Sequence, residues 1–121
     1  MTGAARRRRL DAARLYLVAP ARVRAGRLAD LVPALAAAGV DVVQLRDRGF
    51  PEAELRAEAV ACADAAARAG VLFIVNDSPE LARAAGADGV HLGQEDGDVA
   101  WARGLLGPDA IVGRSTRGGA Q

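Results

Sequence analysis

Five short apolar runs alternate with helical stretches along this chain, and a glycine or proline stands at nearly every junction. Leu15 to Val18, ended by Ala19-Pro20, has the composition of a first strand. A helix starting near Asp30 and closed by Gly39 follows, with Pro33 tolerable only in its first turn. Val40 to Arg46 reads as a second strand. Pro51 then opens a long helix, Glu52 to Ala69, that Gly70 closes. Leu72 to Val75 is a third strand, and Ser78-Pro79-Glu80 starts a short helix with a serine cap, ending at Gly86. Gly89 to Leu92 is the fourth strand, Val99 to Leu106 the fourth helix, and Ala110 to Gly113 the fifth strand.

Strict alternation with short connections predicts a parallel sheet with right-handed crossovers. An open, doubly wound sheet would bury both faces of its strands and make them apolar throughout. The second strand instead carries Gln44 and Arg46, with Arg48 just beyond, at alternate positions that share one face. Polar residues on one side near the carboxyl end of a parallel strand suit the mouth of an α/β barrel. A Gly-x-Gly-x-x-Gly turn after the first strand is missing, which counts against dinucleotide binding. The expected fold class is therefore α/β, a partial (β/α)8 barrel with about five parallel strands and four helices. A closed barrel of this kind has eight strands.

Composition narrows the function classes. Sixteen basic residues, all arginine, stand against fifteen acidic ones, leaving a net charge of +1. That balance excludes the broad basic field of a non-specific nucleic-acid binder. The single Cys62 excludes an intrachain disulfide and a cysteine-pair zinc site. No apolar run is long enough to cross a bilayer. The basic run Arg6 to Arg9 meets Asp11 and Arg14 rather than a long apolar stretch, so residues 1–14 read as a solvated Arg-rich tail and not as a secretory signal. Residues 15–121 then form the folded part, and the expected compartment is the cytoplasm.

In parallel α/β folds chemistry gathers beyond the carboxyl ends of the strands. The residues there are Gln44, Arg46, Asp47 and Arg48, then Asn76 and Asp77, then His91, Gln94, Glu95 and Asp96, and finally Ser115 and Thr116. Adjacent strands lie ~4.8 Å apart, so Asp77 and Asp96 would reach a common point. Two carboxylates, completed by water and phosphate oxygens, are the usual protein contribution to a Mg²⁺ site. Arg46 and Arg48 match phosphate geometry through paired hydrogen bonds. Simpler readings stand beside these. Asp77 and Asp96 would cap helices, Arg46 and Asp47 would form a surface ion pair, His91 would be a core histidine, and Cys62 and Trp101 would be packing residues.

QLRDR (Gln44 to Arg48), FIVND (Phe73 to Asp77), GADGVHLGQED (Gly86 to Asp96) and GRST (Gly113 to Thr116) resemble successive motifs of the thiamine-phosphate synthase family. The resemblance runs from Leu15 to the last residue. It implies a (β/α)8 barrel that joins hydroxymethylpyrimidine diphosphate to a thiazole phosphate and releases pyrophosphate. Carried over, it implies Mg²⁺ on Asp77 and Asp96. It puts Gln44, Arg46 and Asn76 on the pyrimidine diphosphate, Arg48 beside them, Ser115 on the pyrophosphate, and His91 along the pyrimidine pocket. No covalent nucleophile is implied, since leaving-group charge is stabilised by Arg46 and the metal.

The departures are specific. The family usually has lysine where Arg48 stands and commonly histidine where Arg117 stands. Its later strands, with a Thr-x-Thr-Lys-like loop and a glycine-rich phosphate loop, have no counterpart here, so no thiazole phosphate site is located. The 121 residues alone are therefore expected to be inactive, and their open sheet edges to favour aggregation or pairing with a second copy. Two other readings remain, a thiazole tautomerase-like barrel without the metal pair and an inactive half-barrel serving as an assembly module.

Overall fold

The computed structural model describes residues 1–23, 26–93 and 98–114. Helix α1 spans Gly3–Ala12, and strand β1 spans Tyr16–Ala19. A two-stranded antiparallel hairpin, β2 (Arg22–Val23) and β3 (Gly26–Arg27), leads into α2 (Leu28–Ala37). Then come β4 (Val42–Leu45), α3 (Glu52–Ala69), β5 (Leu72–Asn76), α4 (Pro79–Ala85), β6 (Gly89–Leu92), α5 (Val99–Leu106) and β7 (Ile111–Arg114).

The main sheet has the order β1-β4-β5-β6-β7, and every pairing in it is parallel. Each new strand is added on the same side, so the winding never reverses as it does in a doubly wound fold. Helices α2 to α5 pack each against the next along one face of the sheet. The larger core lies between them: Val43, Leu45, Phe73, Val75, Val90 and Leu92 point outward from the strands onto Ala29, Val32, Ala59, Cys62, Ala66, Ala82 and Ala102. The abundant alanines are what let these helices lie close to the sheet. A second, smaller cluster of Val42, Leu72, Ile74 and Ile111 covers the opposite face, with Leu10 and Ala13 packed against it. Alternation along the strands thus separates a helix-covered face from an inner face, as in a barrel wall.

Local chemistry explains the helix ends. Ser78 accepts from the Leu81 N–H at 3.1 Å and Pro79 occupies the first helical position, where its missing N–H costs nothing. Asp98 accepts from the Ala100 N–H at 2.8 Å and caps α5. Gly70 ends α3 with φ at 75°, a left-handed conformation natural to glycine.

Three expectations are corrected. Residues 1–14 are not a solvated tail: ten of them form α1, tied down by Arg6 on Asp88 (2.7 Å) and by the Gly3 N–H on Asp109 (2.8 Å). Helix α2 begins at Leu28, two residues before Asp30, because Leu28, Ala29 and Val32 together form its buried stripe. Pro33 consequently lies inside the helix and not in its first turn. The hairpin Arg22–Arg27 adds two strands and α1 a fifth helix, beyond the five strands and four helices expected.

Candidate active site

The inner-face residues of β1, β4, β5 and β6 open at their carboxyl ends into a cleft of about 500 Å³. Tyr16, Val18, Gln44, Arg46, Arg48, Asn76, Asp77, His91 and Gly93 line it. The alternation of Gln44, Arg46 and Arg48 therefore does place all three on one side. Gln44 is buried and stands 2.7 Å from the Tyr16 hydroxyl and 2.9 Å from Asn76. With its nitrogen turned toward Asp77, the Asn76 amide donates to both carboxylate oxygens at 2.8 Å and presents its carbonyl to Gln44. The Gln44 amide then turns with it, giving one chain of hydrogen bonds from Tyr16 to Asp77. Burial pushes the Tyr16 hydroxyl above its ordinary pKa, partly offset by the bond to Gln44.

Asp77 has φ at 73°, the only positive value outside glycine among the described residues. A left-handed conformation costs a non-glycine residue about 1 kcal/mol, with aspartate among the more tolerant. The Asp77 N–H donates to the His91 carbonyl at 2.8 Å, which fixes this kink against the neighbouring strand. Ser78, not Asp77, caps α4, so the Asp77 carboxylate is left to face the cleft. Arg48 forks onto it, Nε to Oδ2 at 2.7 Å and Nη2 to Oδ1 at 3.2 Å. Arg46 is exposed, and among the described residues its guanidinium meets no side-chain partner. The surface pair of Arg46 with Asp47 does not form. Asp47 Oδ2 instead accepts from the Ala21 N–H at 3.1 Å, holding the β1–β2 connection beside the arginine-bearing segment.

His91 projects from β6 into the cleft beside Gly113 of β7. Cys62 is a core residue, as expected, with burial pushing its thiol up to about 12. Trp101 does not pack inside; it is half exposed on α5. Sequence reasoning missed Tyr16 and Val18, although the period-two rule applied to β1 puts both on the inner face with Gln44. Gln94, Glu95, Asp96, Ser115, Thr116 and Arg117 lie outside the described residues.

The donor set bears on Mg²⁺. Asp77 offers hard carboxylate oxygens at a polar opening, the ligand type this ion takes. Among the described residues no cluster of three or more histidines, cysteines or carboxylates forms a complete protein cage. Mg²⁺ commonly takes one or two carboxylates and fills its shell with water and phosphate oxygens, so Asp77 fits such a site. Among the described residues no helix is long and apolar enough to cross a membrane.

Fold and cleft together define a parallel α/β protein of the barrel type, with its polar site beyond the strand ends. Residues 15–121 match the family model described as "Thiamine monophosphate synthase", and the chain belongs to that family. It is 51% identical over 117 residues to a thiamine-phosphate synthase of Mycobacterium bovis, covering 89% of this chain and 53% of that protein. With the synthase of Streptomyces avermitilis it shares 47% identity over 115 residues, 95% of this chain and 54% of the relative. The solved thiamine phosphate pyrophosphorylase of Pyrococcus furiosus superposes with a TM-score of 0.72 at 27% identity, over 85% of this chain and 50% of that one. The chain thus spans about half the length of the relatives it matches.

Proposed function

We propose that this chain supplies the pyrimidine-diphosphate side of a thiamine-phosphate synthase, a Mg²⁺-dependent transferase that joins hydroxymethylpyrimidine diphosphate to a thiazole phosphate in the cytoplasm. The observation that carries the reading is the convergence of Gln44, Arg46, Arg48, Asn76, Asp77 and His91 on one cleft in a member of this family. Asp77 and Asp96 would hold the Mg²⁺, which when bound supplies positive charge to the departing diphosphate.

Arg46 faces the cleft with its planar fork available to phosphate oxygens, a geometry that a point charge does not reproduce. Gln44 and Asn76, held in one hydrogen-bonded chain, present amides of fixed orientation to the aminopyrimidine and its phosphates. Ser115 would join them on the released pyrophosphate. Tyr16, Val18 and His91 give the flat ring an apolar and aromatic wall. As the bond to diphosphate weakens, positive charge builds on the pyrimidine methylene and spreads into the electron-rich ring. The thiazole nitrogen then attacks that carbon. The side chains position the reactants and balance leaving-group charge, so the reaction requires no covalent nucleophile.

Calorimetric titration tests this reading directly. The protein should bind hydroxymethylpyrimidine diphosphate more tightly than the monophosphate, with Mg²⁺ widening the difference. Arg46→Ala should erase most of that preference. Equal affinity for the two ligands, or a preference untouched in the variant, would refute the assignment.

A further inference from the structure

Both oxygens of Asp77 are already engaged by a cation, the guanidinium of Arg48, at 2.7 and 3.2 Å. The Asn76 amide approaches the same two oxygens at 2.8 Å. A carboxylate offers about four lone-pair positions, and these two partners between them claim most of them. A divalent cation at its usual ~2.1 Å from either oxygen meets a position that one of these two partners holds. The two partners differ in how firmly they sit. Asn76 is half-buried and fixed by Gln44, whereas the Arg48 side chain is 65% exposed on a flexible stem. Arg48 is the partner that yields. It also lines the same cleft as Arg46, so leaving Asp77 does not take it out of the site.

We propose that Arg48 is a displaceable counter-cation for Asp77: it competes with the divalent ion for one carboxylate, and a diphosphate relieves the competition by drawing the guanidinium onto its own oxygens. This rests on the reading that Asp77 holds Mg²⁺. Its consequence is a coupling between ligands that needs no change of fold. Diphosphate tightens metal binding by removing a competitor, and by linkage the metal tightens diphosphate binding by releasing Arg48. An ammonium at this position lacks the planar fork that sets two N–H groups on the two oxygens, so lysine would compete less well than arginine.

The test uses Mn²⁺ as probe, its binding followed by electron paramagnetic resonance without any phosphate compound. Arg48→Met should tighten Mn²⁺ by up to about fivefold, the scale of an exposed ion pair. Arg48→Lys should fall between that variant and the parent. Arg46→Met removes equal charge from the same cleft without touching Asp77, and should change the affinity much less. In parallel, Mg²⁺ titration should shift the nuclear magnetic resonance signal of the Arg48 Nε–H, saturating together with metal binding.

Equal gains in the Arg46 and Arg48 variants would reduce the effect to bulk charge and overturn the proposal. So would an Nε–H signal that stays in place at saturating Mg²⁺. Asp77→Asn separates the two levels of the argument. If it keeps the parent's Mn²⁺ affinity, the metal assignment itself fails. If it loses Mn²⁺ while Arg48→Met matches the parent, only the competition fails.

Discussion

Gly113 lies so close to His91 that a β-carbon at position 113 would stand 3.0 Å from His91 Nδ1. The two residues are register partners on neighbouring strands, and the missing side chain makes the space in which the imidazole sits. Gly113→Ala must therefore move the ring by a few tenths of an ångström, and Gly113→Val by more. We expect affinity for the pyrimidine diphosphate to fall several-fold in the first variant and further in the second, with Tm changing little in the first. Calorimetry and thermal unfolding separate the two effects. Unchanged affinity in both variants would remove His91 from the pyrimidine wall.

Gly89 poses a stricter demand. A β-carbon there would meet the Ile111 carbonyl oxygen at 2.1 Å, and backbone gives way far less readily than a ring. Gly89→Ala forces β6 away from β7, and we expect a loss of about 2–3 kcal/mol, in the range for an overpacked core. Urea unfolding of the variant measures it, and a loss below about 0.5 kcal/mol would contradict the packing described.

Such contrasts show what the sequence made legible. Helix ends were readable because Ser78, Pro79 and Gly70 act within one turn of their own position, although the α5 cap is Asp98 and not the Asp96 that the sequence suggested. The arginine face was readable because Gln44, Arg46 and Arg48 follow the strand period beyond any tertiary detail. Helix α1 was not, since Arg6 to Arg9 form no apolar stripe and the partner that fixes Arg6 is Asp88, far along the chain. The hairpin escaped because two strands of two residues carry no period at all. Within the cleft, no local rule joins Arg48 to Asp77 or Tyr16 to Gln44; only strand order brings them together. The left-handed backbone at Asp77 was equally hidden, because it depends on the His91 carbonyl.

Glu58 makes a pH-dependent contribution that the sequence did not announce. It is buried on α3 and accepts salt bridges from Arg22 at 2.7 Å and Arg27 at 3.0 Å, which pin the β2–β3 hairpin. Burial works against its charge, yet the two arginines outweigh it and leave the carboxyl below the ordinary value of 4.5. A lowered folded pKa means stability that is fully present above about pH 4.5 and lost as pH falls through the folded value. Glu58→Gln should cost about 1–2 kcal/mol at pH 7, since both arginines remain partly hydrated. The gap between parent and variant should narrow below pH 4. Denaturant curves at pH 7 and pH 3.5 check it, and a gap that stays constant or widens in acid would contradict the assignment.

Arg46 carries a different kind of prediction, because charge and shape separate there. Arg46→Lys keeps the charge and loses the planar fork that matches phosphate oxygens. Affinity for the pyrimidine diphosphate should fall roughly tenfold, about 1.4 kcal/mol, while that for the free pyrimidine alcohol stays the same. A diphosphate affinity equal to the parent's would move Arg46 out of the site.

The same geometry bears on what a polypeptide of these 121 residues does alone. Strands β1 and β7 are the outer members of the five-stranded sheet, which does not close on itself among the described residues. Tyr16 and Val18, on the inner face of β1, are 45% and 47% exposed, where a closed barrel would cover them. Open edges beside exposed apolar side chains favour pairing with another copy. The chain spans about half the length of its relatives, and the cleft opens at the carboxyl ends of the strands in this part of the fold. Given both substrates and Mg²⁺, the polypeptide should bind the pyrimidine diphosphate, form no thiamine phosphate, and elute from a sizing column larger than its monomer mass. Turnover comparable to that of a full-length relative, in a species that elutes as a monomer, would show that five strands suffice and that the open-sheet argument is wrong.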